Sequence, residues 1–405
     1  MSPQNPLSIA VIGAGVGGLV TAMILNEAGY KITLYEKSKI IGPESCSFMS
    51  GGMLAPWCER ADTDPEVLRK GIMALDWWEN HFIGFSRNGS LLLSSKHDYS
   101  EIARYRTHTS GHEMADQKRI SELEPALSHL FDEGLFYPEE GHLDPREALA
   151  SLAHQLEQAS VSIKTGKAVK HSDLKEDLII DCRGLAARED LPKLRGVRGE
   201  MLRIRSDEVS FSRPIRLLHL RDSIYIVPRK NGEIMVGASS IETDWDGPVT
   251  VRTAARYLEA CERLHPALGQ AEILELGAGV RPAFPDNLPH VSREGRVIYL
   301  NGFYRHGWLL SPWAGQEVLK EVQQYTGEKS TKKASQAQPT EIHAIVNGKS
   351  QAIPTLLSEL LKKLHFQDKI VATALNNQFI PAEKRAETFL KEGDRIEILT
   401  PMQGG

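Results

Sequence analysis

The sequence predicts a chain of mixed class, α/β and α+β. A parallel-sheet unit is joined to an antiparallel sheet, then to a linker and a small terminal sheet unit. Three observations predict this. First, the chain opens on strand, glycine turn, helix and strand. Leu7–Ile12 is a short apolar run, Gly13, Gly15 and Gly18 form G-x-G-x-x-G, Leu19–Ala28 has helical spacing, and Lys31–Tyr35 is a second apolar run. Second, residues 196–247 read as extended segments around Lys230-Asn231-Gly232, and Asn-Gly is a strong hairpin signal. Third, residues 342–380 give the order β-β-α-β-β, with a further strand at 395–399.

Each piece of the opening has a physical task. Gly13 permits the tight turn, Gly15 lets backbone approach a pyrophosphate, and Gly18 lets helix and strand pack closely. The free N–H groups of the helix start hold phosphate charge. Glu36 stands about 20 residues beyond the glycines, where a carboxylate accepts hydrogen bonds from ribose hydroxyls. This is a Rossmann-like dinucleotide site, and at this point NAD and FAD are both open. Leu7–Leu25 is uncharged, which also suits a membrane or signal segment. Its four glycines and the absence of a basic residue in Met1–Pro6 argue against that reading.

The composition bounds the rest. A chain of 405 residues suggests two or three domains. A net charge of −5, with no basic stripe interleaved with aromatics, argues against nucleic acid. Cys46, Cys58, Cys182 and Cys261 are scattered without C-x-x-C. That fits a reducing, cytoplasmic setting without disulfides or a metal site. No other stretch is long and apolar enough to suggest a membrane span.

Residues 40–57 follow the second strand and carry small and hydroxylated residues, among them Ser45, Ser50, Gly51, Gly52 and Met53. They are expected to line the cofactor. Pro65–His81 is a helix with Asp64 as N-cap, and its Trp77-Trp78 pair is expected in the core. Gly89–Ser94 and Gly134–Tyr137 are strands. Asp144-Pro145 opens a helix to about Ala159, and His142 before it is expected to be a loop residue. Val161–Lys164, Lys167–His171 (which contains Val169) and Asp177–Asp181 are read as strands. The last ends at Cys182-Arg183-Gly184 and returns the chain to the first sheet.

Glu200–Ser206, Ser223–Arg229 and Glu233–Ser239 are antiparallel strands, with Tyr225 inside the second. Thr250–Leu264 is a helix and Glu272–Val280 a strand that runs into Arg281-Pro282. Arg296–Asn301 is a strand followed by Gly302–Trp308, and Ser311-Pro312 opens a helix to about Tyr325. Thr326–Thr340 lacks apolar periodicity and reads as a flexible linker. Beyond it, Ile342–Asn347, Gln351–Ile353, Ile370–Leu375, Gln378–Ile380 and Arg395–Leu399 are strands and Thr355–Lys363 is a helix. This is a ubiquitin-like β-grasp order, ending in Gly404-Gly405.

The first unit resembles the FAD-dependent oxidases of the D-amino acid oxidase superfamily in three separated pieces. These are Gly13–Glu36, then Gly279-Val280-Arg281-Pro282 with Asp286 and Pro289, then Gly302–Trp308. Within that superfamily it is most similar to the glycine oxidases of thiamin biosynthesis (the ThiO group), notably in Tyr225-Ile226-Val227-Pro228-Arg229-Lys230. The terminal unit resembles the ThiS sulfur carriers in Val346-Asn347-Gly348, Leu375-Asn376-Asn377, Lys391–Ile398 and Gly404-Gly405.

The resemblance implies FAD as cofactor. Its binding residues are expected to be Gly13, Ala14, Gly15, Val16, Gly17, Gly18, Glu36, Lys37, Ser45, Ser50, Gly51, Gly52, Met53, Val169, Cys182, Gly184, Gly302, Arg305, His306, Gly307 and Trp308. It implies that Tyr225, Arg281 and Arg305 bind substrate, and no residue stands out as a catalytic base. The expected organisation is an oxidase at 1–325, a linker at 326–340 and a carrier at 341–405. The cofactor parts are about 1–60, 141–195 and 277–325, and the substrate parts about 61–140 and 196–276.

The implied activity is oxidation of glycine to its imine, with O2 reduced to H2O2. The implied second role is sulfur carriage as a thiocarboxylate on Gly405. A ThiF-like activating enzyme and the thiazole synthase ThiG would be partners, and the oxidase is expected to be a homo-oligomer. Left open are a D-amino acid or sarcosine as substrate, an acceptor other than O2, a carrier tail of another pathway, and a flavoprotein scaffold that serves mainly as a carrier.

Overall fold

The structure, a computed structural model, describes residues 7–95, 99–219, 223–336, 342–366, 369, 371–386 and 388–400. The chain divides into two compact units, Met1–Gln323 and Gln324–Gly405.

The first unit is built on two large sheets. One is six-stranded, in the order His290–Glu294, Val297–Asn301, Leu178–Asp181, Ser8–Ile12, Lys31–Tyr35, Ser162–Lys164. All its pairings are parallel except that of His290–Glu294 with Val297–Asn301. Its central strands are near-continuous apolar runs because helices cover both faces. Ser8–Ile12 and Leu178–Asp181 are almost wholly buried. Helix Val16–Glu27 is buried at every residue from Val16 to Leu25, as expected of a helix that is apolar all round. The uncharged segment Leu7–Leu25 is thus a strand, a glycine turn and most of a core helix. Among the described residues, no helix is long and apolar enough to cross a membrane.

The second sheet joins the two sequence segments on either side of residues 141–195. Its path is Ile241–Glu242, Arg195–Arg205, Glu233–Gly237, Ile224–Pro228, Ile215–Leu218, Ser90–Ser94, Glu133–Tyr137, Glu113–Asp116, with Glu272–Ala283 also paired to Arg195–Arg205. Asn231 and Gly232 make the hairpin turn, both with positive φ. One pairing, Ile215–Leu218 with Ser90–Ser94, is parallel. Strand Glu272–Ala283 runs straight through the expected boundary at 276/277.

Three further expectations are corrected. Lys167–His171 is not a strand. Its backbone bonds go elsewhere, since Gly166 donates to Ser38 O and Lys167 to Glu36 O. The Asp173 carboxylate then accepts from Lys170 N and caps a short 3-10 turn, His171–Asp173.

The last long helix starts at Gly307 rather than Ser311, with Pro312 inside it. Proline lacks the N–H that would reach Trp308 O. That carbonyl instead accepts from Trp78 Nε1 at 2.9 Å, so the helix loses no satisfied acceptor.

The same helix continues to Gln336, so residues 326–336 of the expected flexible linker are helical. Three lysines with Glu328, Ala334 and Gln336 favour helix, which offsets Gly327 and the serines and threonines. Extending an existing helix also avoids the cost of nucleation. Residues 337–340 lie outside the described residues.

The second unit has a five-stranded sheet, in the order Lys349–Ile353, Ile342–Val346, Arg395–Leu399, Ala372–Leu375, Gln378–Ile380. Helix Leu357–Lys363 buries Leu357, Leu360 and Leu361 in a core with Val346, Ile353 and Ile396. Asn347 turns the first hairpin at φ 47°. Its side chain exchanges two bonds with Ile398, donating to O at 3.1 Å and accepting from N at 2.7 Å. Gly404 and Gly405 lie outside the described residues.

Candidate active site

The parallel strands Ser8–Ile12, Lys31–Tyr35, Leu178–Asp181 and Val297–Asn301 are aligned so that Ile12 faces Tyr35 and Asp181, and Asp181 faces Tyr299. The segments that follow them begin at Gly13, Glu36, Cys182 and Gly302, and therefore share one edge of the sheet. The carboxyl edge of such a sheet is where ligands bind in open α/β folds.

Gly13 has φ +96°, and a Cβ there would lie 2.7 Å from Cys182 O. A Cβ on Gly18 would lie 1.8 Å from Gly13 O, so no side chain fits where helix meets turn. Glu36 is fixed by two backbone donors, Ala14 N at 2.8 Å and Ser38 N at 2.9 Å.

The loop after Glu36 folds back over the helix start. Ser47 Oγ accepts from Val16 N at 3.1 Å. Ser50 Oγ donates to Ser47 O and accepts from Trp308 Nε1 at 2.7 Å. Gly307 packs on Val16, and a Cβ there would lie 3.3 Å from Val16 Cγ1. Asn301 Nδ2 donates to Gly184 O at 2.9 Å, tying the Cys182–Gly184 turn to the Gly302 turn. Met53 pairs with His142 in a two-stranded ribbon, so His142 lies in a strand rather than a loop. Lys37 points to solvent, and Val169 is half-buried against Ala10, Ile12 and Tyr35.

These residues fit a dinucleotide. The Ser45 hydroxyl is buried in the loop with no hydrogen-bond partner. A helix N-terminus offers N–H groups and a favourable dipole to phosphate. The anchored Glu36 carboxylate is placed for hydroxyl donors.

The same loop borders the expected substrate residues. The Tyr225 ring packs on Gly51, where a Cβ would lie 2.4 Å from Tyr225 Cε2. Arg281 stands on strand Glu272–Ala283, whose Gly279 packs on Cys46. Its Nη1 donates to Ser239 O at 3.0 Å. Among the described residues, no carboxylate forms an ion pair with it. Burial pushes the Tyr225 hydroxyl and the Cys46 thiol upward, and the Arg281 charge opposes both shifts.

Arg305 is placed differently. Its Nη2 lies 2.7 Å from Glu59 Oε2. Arg216 holds the other Glu59 oxygen at 3.0 Å and also donates to Asp62 at 2.6 Å. Burial would raise Glu59, but the Arg305 and Arg216 charges outweigh it and hold the carboxyl at about 2. His306 is pulled down to about 3 by burial, reinforced by Arg305, and is neutral at ordinary pH. A cavity of about 350 Å3 borders this cluster, with Asp62, Tyr304 and His306 in its lining.

Glu59, Ser47 and Arg229 were not singled out by the sequence. Arg229 is buried and donates to Gly51 O at 2.5 Å, with Asp144 3.4 Å away. Burial lowers it to about 10, against the opposing charge of Asp144. The sequence signal for Arg229 was its place in the Tyr225–Lys230 stretch that carries the resemblance, and Glu59 had none. Elsewhere, His171, Asp181 and Asp190 have metal-like spacing. Arg183 donates to both carboxylates, at 2.5 and 2.6 Å, so their charge is already matched.

Residues 8–320 match the family described as FAD dependent oxidoreductase, and residues 344–405 match the ThiS family. A thiamine biosynthesis oxidoreductase ThiO of Rhizobium etli is 48% identical over 317 residues, which is 78% of this chain and 96% of that protein. A bifunctional protein ThiO/ThiG of Synechocystis is 25% identical over 341 residues, 76% of this chain but only 50% of that protein. A glycine oxidase structure from Geobacillus kaustophilus superposes with a TM-score of 0.66 at 21% identity, covering 79% of this chain and 95% of that one.

Proposed function

Because the chain belongs to the FAD-dependent oxidoreductase family and carries a ThiS-family domain, we propose that it is a bifunctional protein of thiazole formation in the cytoplasm. The first unit oxidises glycine to its imine, and the second carries sulfur on its terminal glycine. The names of the relatives support the pathway. The observation that carries the oxidase reading is Arg281, without an acidic partner among the described residues and beside the same loop as Tyr225.

The turn Gly13–Gly18, Glu36, the loop 45–53, Cys182–Gly184 and Gly302–Trp308 hold FAD. When bound, FAD supplies the two-electron oxidant, with O2 as the final acceptor. The chain's own residues bind and orient. Arg281 offers a planar fork to the substrate carboxylate, which no other residue type matches while staying charged. The Tyr225 hydroxyl, kept protonated by burial, donates to the same carboxylate. Glu59 neutralises Arg305 and holds it at the rim, leaving Arg281 as the clamp. The Arg281 and Arg229 charges, which also act on the Tyr225 hydroxyl, disfavour an ammonium ion. They lower the substrate's amine pKa toward the neutral form that oxidation requires. No side chain need act as a strong base.

In the second unit, Gly404 and Gly405 supply a terminal carboxylate free of side chains. It can enter a narrow activating site, become a thiocarboxylate and pass sulfur to the thiazole synthase. Proximity would then help, because an imine hydrolyses in water.

Two measurements test the reading. A panel of glycine, sarcosine and D-alanine with peroxide readout should favour glycine, and a preference for D-alanine would contradict the assignment. Mass spectrometry after incubation with the activating enzyme, ATP and a sulfur donor should show one terminal oxygen replaced by sulfur. An unmodified terminus would contradict the carrier role.

A further inference from the structure

The geometry points to Gly199 as a positioning residue for the substrate clamp, an inference that rests on the reading of Arg281 given above. Strand Arg195–Arg205 pairs antiparallel with Glu272–Ala283, with Val197 opposite Arg281 and Gly199 opposite Gly279. In an antiparallel pair, diagonal neighbours on one face lie within reach of a long side chain. Arg281 uses that diagonal. Its guanidinium lies flat over Gly199.

A Cβ built on Gly199 would lie 2.1 Å from Arg281 Nη2, 2.3 Å from Cζ and 2.7 Å from Nη1. The three nearest atoms all belong to the guanidinium. Gly199 is buried in the middle of a strand and does not have the positive φ that would demand glycine. The glycine is there for space, and the space is filled by the clamp.

The residues around the seat are rigidly held. Arg281 Nη1 donates to Ser239 O at 3.0 Å. Ser239 is pinned to the next residue of the Gly199 strand, its Oγ accepting from Glu200 N at 2.9 Å. Glu200 O accepts from the Tyr257 hydroxyl at 2.8 Å. On the opposite face, Arg198 and Glu200 form a buried ion pair at 2.8 Å, and Arg198 also donates to Trp245 O and Pro248 O. One face of the strand is therefore locked by charge, while the other presents a flat floor under the guanidinium. Gly199 fixes the height of the fork, and Ser239 O fixes its rotation. The remaining donors are left for a carboxylate. A methyl group on the floor would lift the fork away from the Ser239 carbonyl and out of register with a bound amino acid.

The test uses the holoprotein with acetate as the probe, followed through the visible absorbance of the flavin, together with glycine kinetics. Gly199→Ala should raise the acetate Kd and the glycine KM by about tenfold or more, with kcat within about threefold, as expected for loss of carboxylate binding. In an Arg281→Met background the same change should have no further effect, because Gly199 acts through that arginine. An acetate Kd within twofold of the parent would overturn the inference. So would an equal loss in both backgrounds, or failure to yield soluble flavoprotein, since a guanidinium is free to swing aside. If the parent itself neither binds acetate nor is reduced by glycine, the reading of Arg281 fails first.

Discussion

Glu59 organises the charges of the site. Its two carboxylate oxygens meet two guanidinium groups, Arg305 at 2.7 Å and the buried Arg216 at 3.0 Å. Glu59→Gln should weaken both contacts and leave Arg216, only 8% exposed, without its full counter-charge. We expect a loss of about 3–5 kcal/mol in unfolding experiments, the range for breaking a buried pair, and a substrate carboxylate shared between Arg305 and Arg281. A change below about 0.5 kcal/mol would show that the pair is solvated.

Glu140 has the opposite chemistry. It is fully buried, accepting from Cys58 N at 2.7 Å and from Ser90 Oγ. Burial pushes its carboxyl from 4.5 up to about 8, reinforced by Glu59. The folded state therefore holds this proton more tightly than the unfolded state. The stability this adds is complete below about pH 4.5 and is lost as pH rises to about 8. Glu140→Gln keeps the neutral form throughout. Its unfolding free energy should lack a decline of roughly 1–4 kcal/mol between about pH 5 and pH 9 that the parent shows. Parallel profiles would contradict this. At this scale the sequence was legible where a residue belongs to a motif, as with Gly13, Glu36 and Arg281. It was silent for Glu59, Glu140 and Gly199, whose roles depend on partners at least 40 residues away in the chain.

At the scale of elements, local chemistry was largely readable. Asp64 and Asp144 cap their helices as their Asp-Pro sequences require, accepting from Glu66 N and from Arg146 N, each at 2.8 Å. The Asn-Gly hairpin falls where it was expected. Two misread elements, 167–171 and the start of the last long helix, share a cause: a distant group replaced a local one. Pro312 was read as a helix start because proline breaks helices, yet Trp78 satisfies the carbonyl it leaves free. Trp78→Phe should therefore cost about 1–2 kcal/mol in denaturant unfolding and loosen the Gly307–Pro312 turn. Because Trp308 closes the cofactor loop through Ser50, FAD should also be released more readily. A stability equal to the parent's would show that the bond to Trp308 O contributes nothing. The helical residues 326–336 were missed for another reason. They lack an apolar face, and only continuation from the preceding helix gives them structure.

The whole chain divides into two compact units. Each has its own sheet and its own buried cluster. Residues 1–336 alone should therefore purify as a folded yellow protein with the glycine KM of the full chain. Truncation before Gly404 should abolish thiocarboxylate formation and leave oxidation intact. An oxidase unit that fails to fold alone would contradict this independence.

The central claim is that a small amino acid is oxidised above a cofactor held on the Gly13–Glu36 turn, with its carboxylate on Arg281. The most direct test is anaerobic addition of glycine to the purified holoprotein while the visible flavin absorbance is followed. The account predicts that the flavin bleaches with glycine, and that Arg281→Met raises the glycine concentration needed by about 100-fold, as for loss of a charge-assisted fork. A spectrum unchanged by saturating glycine, or equal bleaching in the Arg281→Met variant, would contradict it.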